Sequence, residues 1–447
     1  MQGYAENHSY QREKRAHERM STLELSFKLT PTRVISVGRK LVVPIGIFAV
    51  SFLGYYISNP SPIDWYQHQI YLAKAILNGT LDVSATGIPD YYQDVVRLGE
   101  HKYLPFPIGP ALLLVPFVAV WGTSFSEVYF TMVLGAINVV LFWYLLGSLR
   151  VTTRTKLLMV PFFAFGTAHF YSATTGTVWF YQHVSAVFFL LLALIALFKK
   201  TPPILPAALL GIAFLNREPM ILSAPFFLWW LIAQRHKSIF SKAALFDRRT
   251  ILDAVQLFAG LMPFVISWFV YNIVRFDKPM TSGYEFIFDG YNGIPYSFYL
   301  KENPGAERFG LFDVRNVPLH LYTMFLMPPQ FVPDWSIFRP SPYGMSIFLT
   351  SPAFVYAFLV RRRDPAKPAL WLAIGLISIP LLLHWTQGWV QFGYRFMLDF
   401  APFLLILTAW GFDDNSAPGS RRMQVFLVAL SVVAGFWGRY WGNELGW

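Results

Sequence analysis

Long apolar runs separated by short polar segments make up most of this chain. A helix needs about 20 apolar residues to span a bilayer, and runs near that length predict about eleven spans. By residue number they are 41–58, 127–148, 157–174, 178–198, 204–216, 219–234, 252–274, 342–360, 368–385, 391–411 and 423–438. The pattern therefore predicts an all-α polytopic membrane protein.

Two apolar regions depart from a simple span. The runs 204–216 and 219–234 are short and are interrupted by Asn216-Arg217-Glu218-Pro219, so they form either two spans or a re-entrant hairpin. The run 108–122 is bracketed by Pro110, Pro116 and Gly122. Because it is too short to cross a bilayer, we predict a helix that lies in the interface or dips into the membrane.

Two large polar insertions, 59–126 and 275–341, interrupt the apolar pattern. They divide the chain into a basic tail (1–40), a transmembrane module with the first insertion (41–274), the second insertion (275–341) and C-terminal spans (342–447). The second insertion is rich in Tyr, Phe, Gly and Pro, which is typical of a structured region at the membrane interface. In the first, the stretch Ile63–Pro110 concentrates acidic residues, so we expect the chemistry there.

Composition excludes a soluble protein of this size, since the 447 residues are 55% hydrophobic and only 14% charged. About two thirds of the 36 Lys and Arg residues fall in 1–40, 149–156, 199–203, 235–251, 361–367 and 412–422, which the positive-inside rule places in the cytoplasm. The net charge of +11 is therefore explained by the basic cytoplasmic segments and gives no reason to expect nucleic-acid binding. We expect a multi-pass protein of the bacterial plasma (inner) membrane, with a cytoplasmic N-terminal tail, no cleavable signal peptide and both insertions outside.

Chemistry-bearing residues are few. The chain has no cysteine, which excludes disulfides, zinc-thiolate sites and a cysteine nucleophile. Asp64 follows the first span and precedes apolar residues at helical spacing. A carboxylate at the water-lipid boundary suits a general base acting on an acceptor hydroxyl. The alternative is that Asp64 only caps the helix.

Arg217 and Arg395 are cations between apolar runs, where an ionised side chain is usually paired or functional. The functional interpretation is a phosphate clamp, because a guanidinium matches phosphate oxygens with two parallel hydrogen bonds. The alternative is structural pairing, of Arg217 with Glu218 and of Arg395 with Asp399 one helical turn on. Lys102, next to His101, is a third candidate cation.

Histidines and loop acids give weaker signals. His68 and His183 lack a second ligand at metal spacing, so hydrogen-bonded structural roles are favoured over metal binding. The candidate substrate contacts are the side chains of His68, His101, Asp94 and His183. No metal site and no cofactor is predicted, although the acids Asp64, Asp90 and Asp94 leave a divalent cation open.

The order of these motifs resembles that of the GT-C superfamily of membrane glycosyltransferases, such as protein O-mannosyltransferases and lipid A aminoarabinose transferases. In that superfamily an acid after the first span begins a juxtamembrane helix. Here that pattern is matched by Asp64 with Tyr71-Leu72-Ala73-Lys74-Ala75-Ile76-Leu77-Asn78-Gly79. Further motifs of that superfamily are similar to Lys102 with Pro105-Phe106-Pro107, to Asn216-Arg217-Glu218-Pro219 and to Tyr394-Arg395-Phe396-Met397-Leu398-Asp399-Phe400-Ala401-Pro402. Trp65 stands where a second acid is common, which favours base catalysis without a metal.

The resemblance implies an inverting glycosyltransferase of cell-envelope glycan biosynthesis. Its donor would be a polyprenyl-phosphate-linked sugar, and its acceptor a hydroxyl of a lipid, protein or glycan on the extracytoplasmic side. Asp64 would be the general base, and the donor phosphate would be bound by Arg395, Arg217, Lys102 and Tyr394. The alternatives are a secondary transporter or lipid flippase, and a non-catalytic scaffold that binds polyprenyl lipids. A transporter would favour inverted repeats, and the sequence shows none.

Overall fold

The computed structural model describes residues 31–236, 238–281, 283–287, 311–333 and 336–447. The middle of the second predicted insertion, 288–310, therefore lies outside the described residues. The chain divides into two units, residues 1–49 and 50–447. Every feature of the sites described below belongs to the second unit.

Helices form most of the described chain. In the first half they are α1 (Pro31–Ser58), α2 (His68–Leu77), α3 (Gly109–Trp121), α4 (Glu127–Ser148), α5 (Thr153–Phe165), α6 (Ala168–Thr175), α7 (Val178–Phe198) and α8 (Ile204–Asn216). In the second half they are α9 (Ala224–Ala233), α10 (Lys242–Leu245), α11 (Arg248–Phe276), α12 (Tyr284–Phe286), α13 (Val317–Phe325), α14 (Ile347–Thr350), α15 (Ala366–Leu383), α16 (Ala401–Asp414) and α17 (Pro418–Glu444). The predicted all-α class is confirmed.

Short 3₁₀ turns and two small hairpins complete the described chain. The turns are Ser84–Thr86, Gly122–Ser124, Glu218–Ser223, Val314–Asn316, Pro352–Leu359 and Arg395–Asp399. Strands β1 (Val96–Leu98) and β2 (His101–Tyr103) pair antiparallel, with Arg97 opposite Lys102. Strands β3 (Gln330–Val332) and β4 (Ile337–Arg339) form the second antiparallel pair.

Fewer helices are long enough to span a membrane than the sequence predicts. Among the described residues, six qualify by length and composition: Leu41–Ser58, Glu127–Ser148, Val178–Phe198, Arg248–Phe276, Ala366–Leu383 and Pro418–Glu444. The helices α5 and α6 make a seventh if counted as one span bent by 45°. The predicted spans 342–360 and 391–411 are instead broken into short helices and 3₁₀ turns.

The broken spans have local causes. Arg217 leaves the helical conformation at the end of α8, because Pro219 has no N–H to continue the helical hydrogen bonds and its ring would clash with the carbonyl four residues before it. In the predicted span 391–411, Gly393 has a φ of 72°, a left-handed conformation that glycine adopts without steric cost. A helix therefore starts only at Ala401. Both breaks place an arginine, Arg217 or Arg395, outside a regular α-helix.

The run 108–122 forms a separate short helix, α3, as its length predicts. Its first residue, Gly109, packs directly on the end of α8: a Cβ there would lie 2.6 Å from the carbonyl oxygen of Leu215. The Tyr181 hydroxyl on α7 also donates to the Pro110 carbonyl at 2.9 Å. These contacts fix the end of the first polar insertion beside Arg217.

The spans differ in how much of their surface the protein covers. In α7, 89% of the apolar window is buried, compared with 22% in α11. Because a side chain that faces lipid is not covered by other parts of the protein, α7 is a central span and α11 a peripheral one. The start of α7 carries aromatic and polar residues towards the site described next.

Candidate functional site

A cavity of about 800 Å³ opens at the start of α7. Its walls come from the loop before α2, the segment before β1, the Pro-rich turn 105–107 and the break after α8. The ends of α11 and α15 and the segment 384–396 close the other sides. The cavity is therefore lined by several segments of the first insertion and by both helix breaks that carry an arginine.

Asp94 presents a carboxylate to this cavity. Its side chain is held from two sides: Oδ2 accepts a hydrogen bond from Trp179 Nε1 at 2.7 Å and from the Tyr284 hydroxyl at 3.2 Å. The residue is only 7% exposed. Two donors on different elements thus orient an acid that the sequence offered as a candidate substrate contact and as one of three acids open to a divalent cation.

Three residues of the cavity wall hold a left-handed backbone although they are not glycine. Tyr66, Asp94 and Val390 have φ values of 62°, 55° and 51°. Such conformations cost about 1–3 kcal/mol each and persist where surrounding contacts impose them. At Tyr66 those contacts are visible, because its carbonyl accepts from the Val178 amide at 3.2 Å and its ring lies 5.1 Å from that of Trp179.

Arg395 supplies the cavity with a guanidinium that has no carboxylate within 4.0 Å among the described residues. Its Nη1 donates to the Trp389 carbonyl at 3.2 Å, while Nε is buried without a hydrogen-bond partner. The guanidinium lies 5.0 Å from the ring of Phe180 and 5.5 Å from that of Phe396. A buried guanidinium with donors to spare suits an anionic ligand.

Arg217 also lines the cavity, but its charge is paired. Its Nη2 lies 2.7 Å from Oδ2 of Asp399, and its Nε lies 3.1 Å from Oδ1. The other side of the carboxylate meets His183, with Nδ1 2.8 Å from Oδ1. Arg217 is therefore one partner of a buried network, and His183 contacts that network rather than the cavity.

The pairing that the sequence offered for both arginines differs from the structure. Asp399 pairs with Arg217 and not with Arg395, and Arg217 takes Asp399 rather than its neighbour Glu218. The reason is that residues 395–399 form a 3₁₀ turn. In that geometry the side chains at i and i+3 align, so residues 395 and 399 do not stack as they would in an α-helix.

Asp64 lies beside the cavity without contributing its carboxylate to it. Ile63 and Trp65 line the cavity, whereas Asp64 is absent from the described lining residues and is exposed. The suggested cap is also absent: Gln67 occupies the N-cap position of α2, without a side-chain cap hydrogen bond. Gln67 Nε2 donates instead to the Asp64 carbonyl at 2.6 Å.

Lys102 and His101 belong to a polar network of the first insertion, and neither is among the described lining residues. Lys102 Nζ lies 2.7 Å from Oδ1 of Asp90, and His101 Nδ1 lies 2.7 Å from Oδ2 of Asp82. Burial raises the pKa of Asp82, but hydrogen bonds from Ser84, from His101 and from backbone amides outweigh it and lower that pKa to about 2. This network fixes the loop around β1 and β2.

The remaining candidates are Tyr394 and the three loop acids. Tyr394 is buried, with its hydroxyl 2.9 Å from Nδ1 of His320, and it is not among the described lining residues. Asp64, Asp90 and Asp94 do not come together: within the described chain, no group of three His, Cys, Asp or Glu side chains is arranged to hold a metal ion.

His68 is fully buried on α2, and its Nε2 lies 2.7 Å from the Gln93 carbonyl. Burial lowers the pKa of His68 to about 4, against the opposing effect of hydrogen bonds to the backbone of Gln93 and Tyr66. Between that pKa and the ordinary value near 6.5, the unfolded chain binds a proton that the folded chain does not. The free energy of unfolding therefore falls as pH drops from about 6.5 to about 4.

We accordingly expect His68→Gln to flatten the pH dependence of stability, because a Gln amide donates to the Gln93 carbonyl without titrating. The slope between pH 6 and pH 4.5 is expected to fall by up to about 1.4 kcal/mol per pH unit. Thermal unfolding of the purified protein across this range measures it. Identical slopes in the two proteins contradict a neutral buried His68.

Sequence reasoning missed several residues of the cavity, among them Tyr284, Trp179 and Arg275. Trp179 lies in an apolar span, and its hydrogen bond to an acid 85 positions away leaves no sequence signal. Arg275 ends the apolar run of α11, which was the available signal. Its Nη2 donates to Asn272 Oδ1 at 2.7 Å and its Nη1 donates to the Leu104 carbonyl, so it ties α11 to the Pro-rich turn.

Comparison with known proteins gives matches to solved structures only. No family model matches the sequence and no curated protein matches it. The chain is similar to the Archaeoglobus fulgidus oligosaccharyltransferase in its apo form, with 12% identity, a TM-score of 0.47, and coverage of 90% of this chain and 56% of that one. The archaeal oligosaccharyltransferase AglB of the same organism, in complex with an inhibitory peptide and a dolichol-phosphate, gives 12% identity, a TM-score of 0.47, and 91% and 56% coverage.

A third match is the A. fulgidus enzyme tethered to an acceptor peptide with the NVT sequon, at 14% identity, a TM-score of 0.46, and 90% and 55% coverage. The chain thus spans about half the length of the proteins it matches. At these identities, no residue's role is carried from those enzymes to this chain. AglB is itself a glycosyltransferase of the GT-C superfamily.

Proposed function

We propose that this protein is an inverting glycosyltransferase that moves a sugar from a polyprenyl-phosphate-linked donor to an acceptor hydroxyl on the extracytoplasmic side. One observation carries the proposal: a single cavity of about 800 Å³ holds an oriented carboxylate, Asp94, and a guanidinium with an unused donor, Arg395. These are the two groups that transfer from a phosphate leaving group requires.

Arg395 would bind the donor phosphate. A guanidinium has five N–H donors, and the described contacts of Arg395 use Nη1 for the Trp389 carbonyl. Arg217 is the weaker candidate, because Asp399 already compensates its charge. As the bond between the anomeric carbon and the phosphate oxygen breaks, negative charge grows on the phosphate, and a preorganised cation stabilises it.

Asp94 would act as general base in place of Asp64. The acceptor hydroxyl transfers its proton to the carboxylate while its oxygen attacks the anomeric carbon, and the polyprenyl phosphate departs with the electron pair. A phosphate leaves without needing a proton, so no general acid is required. Attack opposite the leaving group inverts the anomeric centre. Trp179 and Tyr284 would hold the carboxylate in place.

The walls of the cavity suit such a donor. Trp268 and Leu381 come from α11 and α15, two spans whose apolar windows are only 22% and 33% buried, which offers an apolar side to a prenyl chain. Trp179, Phe180 and Trp385 are large rings on the cavity wall. Flat apolar rings with polar edges are well suited to the faces of a sugar.

The test is transfer itself, measured with the purified protein in nanodiscs. A panel of labelled polyprenyl-phosphate sugars is supplied with membrane lipid, protein and glycan acceptors, and the products are identified by mass spectrometry. Transfer of label with inversion at the anomeric carbon supports the proposal. Movement of intact donor across a vesicle membrane without transfer would instead indicate a flippase, and binding without turnover a scaffold; either result contradicts the proposal.

A further inference from the structure

A second cavity, of about 730 Å³, lies between the end of α9 and the start of α15. It shares no lining residue with the first cavity. Basic side chains dominate its wall: Arg235, His236, Arg361, Arg362, Arg363 and Lys367. The first cavity's phosphate chemistry does not account for this cluster, because the two lie at opposite ends of α9 and its preceding 3₁₀ turn.

Acids pair with some of the basic side chains of this cavity but not with all of them. Arg235 lies 2.6 Å from Asp253 and 3.9 Å from Asp247, and Arg362 lies 2.8 Å from Asp414 and 3.5 Å from Asp413. Neither Arg361 nor Arg363 has an acid within 4.0 Å in the described part of the chain, and both side chains are exposed. Two exposed guanidinium groups without a close acid therefore lie at the mouth of the cavity.

The backbone that carries these arginines is held in place. Oδ2 of Asp414, at the end of α16, accepts hydrogen bonds from the amides of Arg361 and Arg362 at 2.8 Å each. Asp364 is the one acid among the described lining residues, and its Oδ1 accepts a hydrogen bond from the amide of Ala366, the first residue of α15, at 2.8 Å. The backbone of residues 361–362 is thus held by hydrogen bonds, while the exposed side chains of Arg361 and Arg363 can bind a ligand.

Two aromatic rings, one half-buried and one exposed, lie beside the same cavity. Trp229 Nε1 donates to the carbonyl of Pro365, a lining residue, at 3.0 Å. The ring of Phe240 lies 5.6 Å from that of Trp229 and the residue is 75% exposed. Rings of this kind are typical of the water-lipid interface. Basic side chains that lie at the ends of spans, beside such rings, are at the depth of the lipid head groups.

We propose that this cavity binds the phosphoryl head group of an anionic phospholipid. Arg361 and Arg363 would bind the phosphate oxygens, and the acyl chains would lie along Trp229 and Phe240 in the adjacent leaflet. Basic pockets between transmembrane helices are a recognised type of site for anionic lipids. The positive-inside rule assigns the site to the cytoplasmic leaflet. This inference is independent of the proposed catalytic function.

The test uses native mass spectrometry of the full chain with added phosphatidylglycerol or phosphatidylcholine. The probe variant is Arg361→Gln with Arg363→Gln. The matched control is Lys199→Gln with Lys200→Gln, which removes two exposed charges from the same predicted membrane face outside the cavity. We expect affinity for phosphatidylglycerol to fall at least tenfold in the probe variant and to stay within twofold of wild type in the control.

Three outcomes would overturn the proposal. They are equal losses in the probe and control variants, equal binding of phosphatidylcholine and phosphatidylglycerol by the wild type, and full displacement of the lipid by inorganic phosphate at equal concentration. The last would assign the cavity to a free phosphate rather than to a lipid. Thermal unfolding of both variants confirms that a loss of binding is not a loss of fold.

Discussion

Asp94→Asn is expected to lower the rate of sugar transfer by about 10²–10⁴-fold, the usual contribution of a positioned general base, while donor affinity stays unchanged. The amide is nearly isosteric and its oxygen still accepts from Trp179 and Tyr284, but it takes no proton. Single-turnover kinetics with a labelled donor measure the chemical step, and donor binding is measured separately.

Asp64→Asn provides the matched control, because it makes the same change in an exposed carboxylate of the same insertion. We expect transfer within a few-fold of wild type, since Asp64 does not line the described cavity. Loss of transfer in Asp64→Asn together with near-normal transfer in Asp94→Asn would return the base to Asp64, the residue that the sequence favours. The pair of variants thus decides between two named carboxylates.

Arg395→Gln is expected to weaken the donor complex and to slow transfer, together by about 10²–10³-fold, as for loss of one preorganised donor to a developing oxyanion. Arg395→Lys keeps the charge but loses the planar fork that binds two phosphate oxygens, so we expect partial activity. Isothermal titration with a polyprenyl-phosphate sugar, combined with transfer rates, measures both effects.

A parallel variant separates binding from stability. Arg217→Gln removes one partner of a buried ion pair, which typically costs about 3–5 kcal/mol of stability, and we expect its thermal unfolding to shift more than that of Arg395→Gln. Unchanged donor affinity in Arg395→Gln, with reduced affinity in folded Arg217→Gln, would assign the phosphate to Arg217. Thermal unfolding and titration on the same preparations distinguish these cases.

The helical class was predictable because apolar runs of span length report burial in lipid directly. Their number was not, since local backbone conformations such as that of Gly393 divide an apolar run without changing its composition. The partners of buried ion pairs could not be predicted from the sequence either. Asp399 and Arg217 are 182 positions apart, and only the folded chain brings them together.

The lining of the candidate cavity was predictable in part. Arg395 could be recognised because a cation between apolar runs is costly, and the cavity contains it. The acid was harder, because Asp64 and Asp94 lie in one polar stretch and composition does not rank them. In the structure Asp94 lines the cavity and accepts hydrogen bonds from Trp179 and Tyr284, whereas Asp64 is exposed. Contacts between residues so far apart along the chain are not encoded by a periodic pattern.

The ion pair between Arg217 and Asp399 joins two places where a helix is interrupted, one after α8 and one before α16. Neither interruption has the continuous backbone ladder of a helix, so this contact supplies rigidity that the main chain lacks. The ring of Phe396 contacts both cavity arginines, because it lies 5.6 Å from the guanidinium of Arg217 and 5.5 Å from that of Arg395. A ligand entering here meets a wall already ordered, and its affinity is reduced less by the entropy of arranging side chains.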